Sequence, residues 1–262
     1  MNTEIVTLDL SSRRKSIIGY SLGMAVYALV VVALYPSFKD ATNLDQLTKD
    51  SPGVAALFGI SGSLTSPIGW LSANIYANFF PLLILLITIG YGASSLAGQE
   101  ADGRLELVLS LPLLRSSVVA QKISALVIQA TAFAAVVFGC VMVGRAFELT
   151  FNTRNLATAT LAVALLGIDF GLLALTIGAA TGARGTAIAI ASAVAAGSFL
   201  VSSMAPLVSW LEPAKYASLF YWSVGDNQLE GGLSLGAFAV LIGVAILLSA
   251  VAVESFRRHD LS

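Results

Sequence analysis

The chain has 262 residues, of which 57% are hydrophobic and only 11% charged, with a mean hydropathy of +0.86 and a formal net charge of -1. Soluble domains carry about 25% charged residues, so this composition excludes a water-soluble enzyme, and it equally excludes a disordered chain or a nucleic-acid binder. One membrane span takes about 20 apolar residues, which leaves room for roughly six spans with short loops. We therefore predict an all-α integral membrane protein.

Six apolar runs that are nearly free of charge predict six transmembrane helices. The first run follows a cluster of three basic residues and stops at Pro36. An outer loop rich in Gly, Ser, Pro and Thr extends from there to about Trp70, where the second run begins. The predicted spans are residues 17–36, 73–97, 119–143, 156–180, 186–211 and 234–253.

The outer end of the second predicted span carries two asparagines at helical spacing. Asn74 and Asn78 are separated by four residues, with Tyr76, Phe79 and Phe80 beside them. Such a polar stripe is compatible with the lining of a passage. It is equally compatible with caps and interfacial anchors in an aromatic belt.

The inner loop between the second and third spans contains the most specific pattern in the chain. Residues 98–115 read GQEADGRLELVLSLPLLR, in which Leu105 and Leu109 share one helical face and Pro112 closes the element. This predicts a short amphipathic helix at about 102–111, lying along the inner membrane surface. The helix either anchors the loop in lipid or docks on a protein. Its acidic first turns and its lack of a basic face favour a protein partner.

Asp169 is the only carboxylate inside a predicted span. On a helical projection of the fourth span it lies roughly opposite a face of small residues. That face predicts a close helix contact, and its members are Ala164, Gly167, Gly171, Ala174, Gly178 and Gly182. Asp169 is then either a group that contacts substrate or switches during transport, or a buried carboxyl bonded to a neighbouring helix.

The segment between the fifth and sixth spans, residues 212–233, is predicted to be a half-inserted or surface helix on the outer side. Its most apolar piece, residues 216–224, is too short to cross the membrane. We find no repeat and no linker, so the chain is predicted to form one transmembrane domain, 1–262.

The distribution of Lys and Arg predicts that both termini are cytoplasmic. In this orientation the inner segments hold nine of the 14 cationic residues and the outer segments hold five, as the positive-inside rule requires. The inner cations are Arg13, Arg14, Lys15, Arg104, Arg115, Lys122, Arg184, Arg257 and Arg258.

The residues needed for covalent catalysis are missing from the spans. The only histidine, His259, lies in the polar tail, so an intramembrane serine enzyme has no base. An aspartyl enzyme needs two carboxylates, and Asp169 is alone. The sequence has no G-x-x-x-x-G-K-[ST] phosphate loop. We therefore predict no catalytic residue and no metal site, and energy from ATP requires a partner protein.

The inner loop resembles the E-x-x-G-x-L-E-x-x-L-S-x-P-x-x-R pattern of type-2 ATP-binding-cassette (ABC) exporter permeases, six-span subunits that work with a separate ATPase. The matching positions are Glu100, Gly103, Leu105, Glu106, Leu109, Ser110, Pro112 and Arg115. Residues 54–59 and 69–71 are similar to the first outer loop of antibiotic exporters. Residues 257–261 are similar to a frequent R-R-x-D-L ending.

The resemblance implies that the inner helix is a coupling helix, through which Glu106 and its neighbours transmit closure of an ABC ATPase subunit. ATP and Mg²⁺ would then be held by that subunit, and this chain would bind no cofactor. It also implies a second permease, either another copy or a related chain, with substrate moving along the second and fifth spans. Polar residues of this chain at those places are Asn74, Asn78, Ser192, Ser198, Ser202 and Ser203.

These inferences predict the permease subunit of an ABC exporter in the bacterial inner membrane, surrounded by lipid. Almost no charge lies in the spans, so a hydrophobic or amphipathic substrate is expected, such as a drug, an antibiotic or a lipid-like molecule. The alternative is a secondary transporter driven by protons through Asp169, which would need no ATPase.

Overall fold

The computed structural model describes residues 4–41, 63–101, 114–225 and 228–258. These ranges contain helices and turns but no strand, and six of the helices are long and apolar enough to cross a membrane. In chain order they are α1 (Glu4–Phe38), α2 (Pro67–Ala101), α3 (Arg115–Phe147), α4 (Thr153–Thr181), α5 (Arg184–Met204) and α6 (Leu235–Arg258). The predicted all-α membrane fold with six spans is confirmed.

The second span was predicted to begin at about residue 73, but α2 begins earlier. The helix begins at Pro67, and Trp70 is therefore helical instead of part of the loop. The Ser66 hydroxyl caps the helix by accepting a hydrogen bond from the Gly69 amide at 3.0 Å, and proline at the first helical position needs no amide partner. The helix then widens into π-helical turns at Ser72–Phe79 and again near its inner end.

The outer end of α5 also differs from the prediction of 186–211. The helix ends at Met204, and Pro206, two residues later, has no amide hydrogen to continue the helical hydrogen bonds. The predicted outer half-helix region, 212–233, contains three short helical segments, Glu212–Ala217, Tyr221–Gly225 and Gln228–Gly231. We call residues 212–225 and 228–231 together the outer segment.

The centre of the bundle is α4, which is largely buried and packs against α2, α3, α5 and α6. The small residues of α4 make the close contact predicted for them. A Cβ atom built on Gly92 of α2 would lie 2.1 Å from the carbonyl oxygen of Gly171, and one built on Gly167 would lie 2.8 Å from Cγ1 of Ile84. Small residues thus allow α2 and α4 to approach more closely than larger side chains would permit.

Hydrogen bonds at the outer end hold α1 against α2. The Trp70 indole donates to the carbonyl oxygen of Val31 at 3.0 Å, and the Tyr27 hydroxyl donates to that of Asn74 at 2.9 Å. Just beyond α1, Lys39 forms an ion pair with Glu148, which follows α3. These contacts join the outer ends of α1, α2 and α3.

Candidate functional site

A cavity of about 610 Å³ lies between α2 and α5, and we call it the apolar groove. It is lined by residues of α2 between Ala77 and Gly90, by residues of α5 between Ile188 and Phe199, and by Phe220 of the outer segment. The lining positions recur every three or four residues on both helices, as expected for two facing helix stripes. Its volume falls within the range of about 300–1,000 Å³ typical of small-molecule sites.

The chemistry of the apolar groove suits an uncharged or amphipathic molecule. Asn78 and Ser192 supply the only polar side chains of its lining, and no lining residue is charged. The Asn78 amide donates to the carbonyl oxygen of Ala73 at 2.8 Å, a bond across the wide π-helical turn. Such a lining suits binding mainly through apolar contact, with two polar side chains that could orient a bound molecule.

Of the six polar residues predicted along the second and fifth spans, Asn78 and Ser192 line the groove and the other four do not. Asn74 does not line it: its side-chain amide donates to the carbonyl oxygen of Trp70 in the same helix at 2.9 Å, and its own carbonyl oxygen accepts the hydrogen bond from Tyr27 of α1. Helical spacing alone therefore does not decide which of the two asparagines reaches the groove.

Ser198 and Ser202 face the outer segment instead of the groove. The Ser198 and Ser218 hydroxyls lie 2.9 Å apart, and the Ser218 hydroxyl also donates to the carbonyl oxygen of Ser198 at 2.7 Å. A Cβ atom built on Gly225 would lie 3.2 Å from the Ser202 hydroxyl oxygen. The two serines therefore pack on the segment that contributes Phe220 to the groove.

Phe220 and Phe199 are groove residues that the sequence did not single out. Their rings pack edge to face with centroids 5.4 Å apart, and Phe220 also contacts Phe170 of α4. In the sequence, Phe220 lies within residues 216–224, the most apolar piece of the predicted outer half-helix. Phe199 carried no signal, because an apolar residue in an apolar span does not reveal which face it occupies.

Asp169 is fully buried in α4 and does not line the apolar groove. Neither of its carboxyl oxygens has a hydrogen-bond partner within the described parts of the chain. Thr176 lies seven residues after Asp169 on the same face of α4, and its hydroxyl donates a hydrogen bond to the carbonyl oxygen of Leu248 in α6 at 3.2 Å. The expected bond from Asp169 to a neighbouring helix is therefore not found among these residues, and its role in transport stays a prediction.

We expect Asp169→Leu to raise the thermal stability of the purified protein. A buried polar group without a partner costs about 1–3 kcal/mol, and an apolar side chain of similar size removes that cost. For a chain of this size, this corresponds to a rise in Tm of several degrees, at about 2–4 °C per kcal/mol. Asp169→Asn keeps a polar amide and should show no such rise. A fall in Tm for Asp169→Leu would show that the bundle depends on the carboxyl group.

The whole of the predicted coupling helix, residues 102–111, lies outside the described residues, and so do the motif residues Gly103, Leu105, Glu106, Leu109, Ser110 and Pro112. The structure does place the two flanking residues of the motif. Glu100 lies in the last turn of α2, and Arg115 begins α3. The motif thus connects the inner ends of these two helices.

Comparison with known protein families gives one match along nearly the whole chain. A family model described as "Multidrug efflux system permease Rv1217c, C-terminal domain" matches residues 3–257. No individual curated protein matches the chain significantly. The family match and the six candidate spans agree on a drug-exporter-like ABC permease.

Proposed function

Because the chain belongs to the family of the multidrug efflux system permease Rv1217c, C-terminal domain, we propose that it is the permease subunit of an ATP-driven ABC exporter. In this proposal it exports hydrophobic or amphipathic molecules across a bacterial inner membrane by alternating access, with both termini cytoplasmic. The apolar groove between α2 and α5 is the observation that carries the proposal.

The groove supports a hydrophobic or amphipathic substrate for two reasons. Its size suits a drug-sized ligand, and its uncharged lining offers nothing to stabilise an ion that has lost its hydration shell. Phe79, Leu82 and Leu86 are 47%, 60% and 48% exposed along it. We propose that a second permease, identical or related, covers this face, and that substrate moves between the two.

An ATPase partner supplies the energy in this proposal. The chain has no phosphate loop of its own, and the sequence between α2 and α3 predicts an amphipathic helix without a basic face. We propose that residues 102–111, with Glu106 at their centre, dock on an ABC ATPase subunit that binds ATP and Mg²⁺. The permease itself performs no covalent chemistry.

The test is to purify the tagged chain from its native membrane and identify the proteins that remain bound. We expect an ATPase subunit with a phosphate loop. The complex is then reconstituted into vesicles, and transport of the amphipathic dye Hoechst 33342 is followed with MgATP or with a proton gradient. Transport that needs MgATP supports the proposal. Transport by the chain alone, driven by protons and lost in Asp169→Asn, would overturn it in favour of a secondary transporter.

A further inference from the structure

A buried group of charged and polar side chains lies at the inner end of the bundle and shares no residue with the lining of the apolar groove. It consists of Asp9, Tyr91, Gln99 and Lys122, and we call it the inner polar cluster. Lys122 and Asp9 form an ion pair with side chains only 1% and 9% exposed. The Lys122 ammonium lies 2.9 Å from both carboxylate oxygens of Asp9.

Hydrogen bonds within the cluster satisfy both members of the ion pair. The third donor of Lys122 binds the Gln99 amide oxygen at 2.9 Å, so all three ammonium protons have an acceptor. Asp9 accepts further bonds from the Tyr91 hydroxyl at 2.7 Å and from the Gln99 amide at 3.3 Å. A fully bonded buried network of this kind holds its members in one arrangement.

The cluster joins three elements that are distant in sequence. Asp9 belongs to the first turns of α1, Tyr91 and Gln99 to the inner part of α2, and Lys122 to the inner part of α3. Two contacts at its edge add to the connection. The Ile5 amide donates to the side chain of Gln121 at 3.2 Å, and the Arg13 guanidinium bonds Ser94 and lies 5.1 Å from the centre of the Tyr91 ring.

The cluster lies on the two helices that flank the predicted coupling helix, which is where energy coupling is expected. The chain leaves α2 at Ala101 and enters α3 at Arg115, so Gln99 and Lys122 lie on the two helices that carry the predicted coupling helix. Any force on that helix reaches the bundle through these two helix ends. Asp9 bonds to both of them and thereby connects them to α1.

A contribution to stability alone does not explain why charged residues occupy these positions. Burying a charge pair is costly, and well-packed apolar residues often give equal or greater stability. Because the pair and its bonds are directional, they instead define one position of α1 relative to α2 and α3.

We propose that the inner polar cluster is the joint that makes α1 move together with the inner ends of α2 and α3, and that it sets how much transport each ATP hydrolysis drives. Asp9, Tyr91 and Lys122 are positioning residues in this proposal. They act through the helices and contact neither substrate nor nucleotide. The inference rests on the proposed function, since it needs an ATPase partner.

The experiment measures dye transport and ATP hydrolysis in the same reconstituted vesicles and compares their ratio between variants. Asp9→Asn removes the charge with little change of shape, and Tyr91→Phe removes one bond without disturbing packing. We expect both variants to hydrolyse ATP, and we expect the transport per ATP to fall by at least about fivefold in Asp9→Asn, the lower end of common coupling effects. The transport per ATP should also fall in Tyr91→Phe, but by a smaller factor.

A double variant separates coupling from folding. Asp9→Leu with Lys122→Met removes both charges, so no unpaired charge stays buried and the complex should assemble. We expect this variant to be stable but to keep a low ratio of transport to hydrolysis. Full recovery of the ratio would overturn the proposal, because apolar packing would then suffice. An unchanged ratio in Asp9→Asn and Tyr91→Phe would overturn it as well.

The chain offers a matched control at the opposite end of the same helix. Lys39→Met breaks the ion pair with Glu148, whose two side chains are 36% and 61% exposed, and it should leave the ratio unchanged. Loss of coupling in this control would also contradict a specific role for the inner polar cluster. If the parent complex shows no ATP-dependent transport at all, the proposed function fails, which is a different result from an unchanged ratio.

Discussion

Ala196→Trp is expected to abolish most dye transport while leaving the protein folded and bound to its partner. Ala196 lines the apolar groove and is exposed along α5, so an indole ring at this position enters the cavity without displacing the core. A substrate that has to displace the ring loses at least about 1.4 kcal/mol of binding energy, which is a tenfold loss of affinity. The measurements are transport in reconstituted vesicles and dye binding by fluorescence titration.

Val194→Trp is the matched control for this prediction. Val194 lies on the same helix, is 48% exposed and does not line the groove. Adding the same ring there should leave dye binding and transport within about twofold of the parent, as for most substitutions at exposed positions. Equal losses in both variants would show that α5 tolerates no added bulk. Undiminished binding in Ala196→Trp would place the substrate site elsewhere.

Gly92→Ala is expected to prevent correct assembly of the bundle. The added methyl group would lie 2.1 Å from the carbonyl oxygen of Gly171 and 3.0 Å from the backbone nitrogen of Leu175. Both atoms belong to the backbone of α4 and cannot turn away, so α2 and α4 must separate along their contact. We expect a cost above about 4 kcal/mol, which is exceptional for one substitution. The measurements are the yield of monodisperse protein and its Tm.

Gly90→Ala provides the control two residues earlier on the same helix. A Cβ atom at Gly90 meets nothing within 4 Å, and alanine is the better helix former of the two. This variant should purify like the parent. Similar yield and Tm for Gly92→Ala and Gly90→Ala would show that the two helices do not approach as closely as described.

The number of spans could be predicted because insertion into lipid depends on the composition of each local stretch. The same local rule explains where the predicted ends were wrong. Apolar composition continues past Met204, yet the helix ends there, next to Pro206, which has no amide hydrogen to continue the helical hydrogen bonds. The residues before 73 lack the composition of a span, but the Ser66 cap and Pro67 start the helix.

The candidate site was only partly accessible from sequence. The resemblance pointed to the second and fifth spans, and the apolar groove does lie between them. Among the polar residues chosen, Asn78 and Ser192 line it, whereas Asn74, Ser198 and Ser202 do not. The i, i+4 spacing grouped Asn74 with Asn78, but it could not show that Asn74 lies beside α1, where its carbonyl oxygen accepts a hydrogen bond from Tyr27.

The membrane location, the six apolar helices and the small-residue face of α4 could be predicted because each follows from the composition or periodicity of one segment. Which side chains contact one another could not be predicted in this way. Lys122 was counted as an inner cation, yet it is buried against Asp9, 113 positions away. Such a pair depends on how three helices are rotated and docked on one another, and within a membrane that is set by packing among all the helices together.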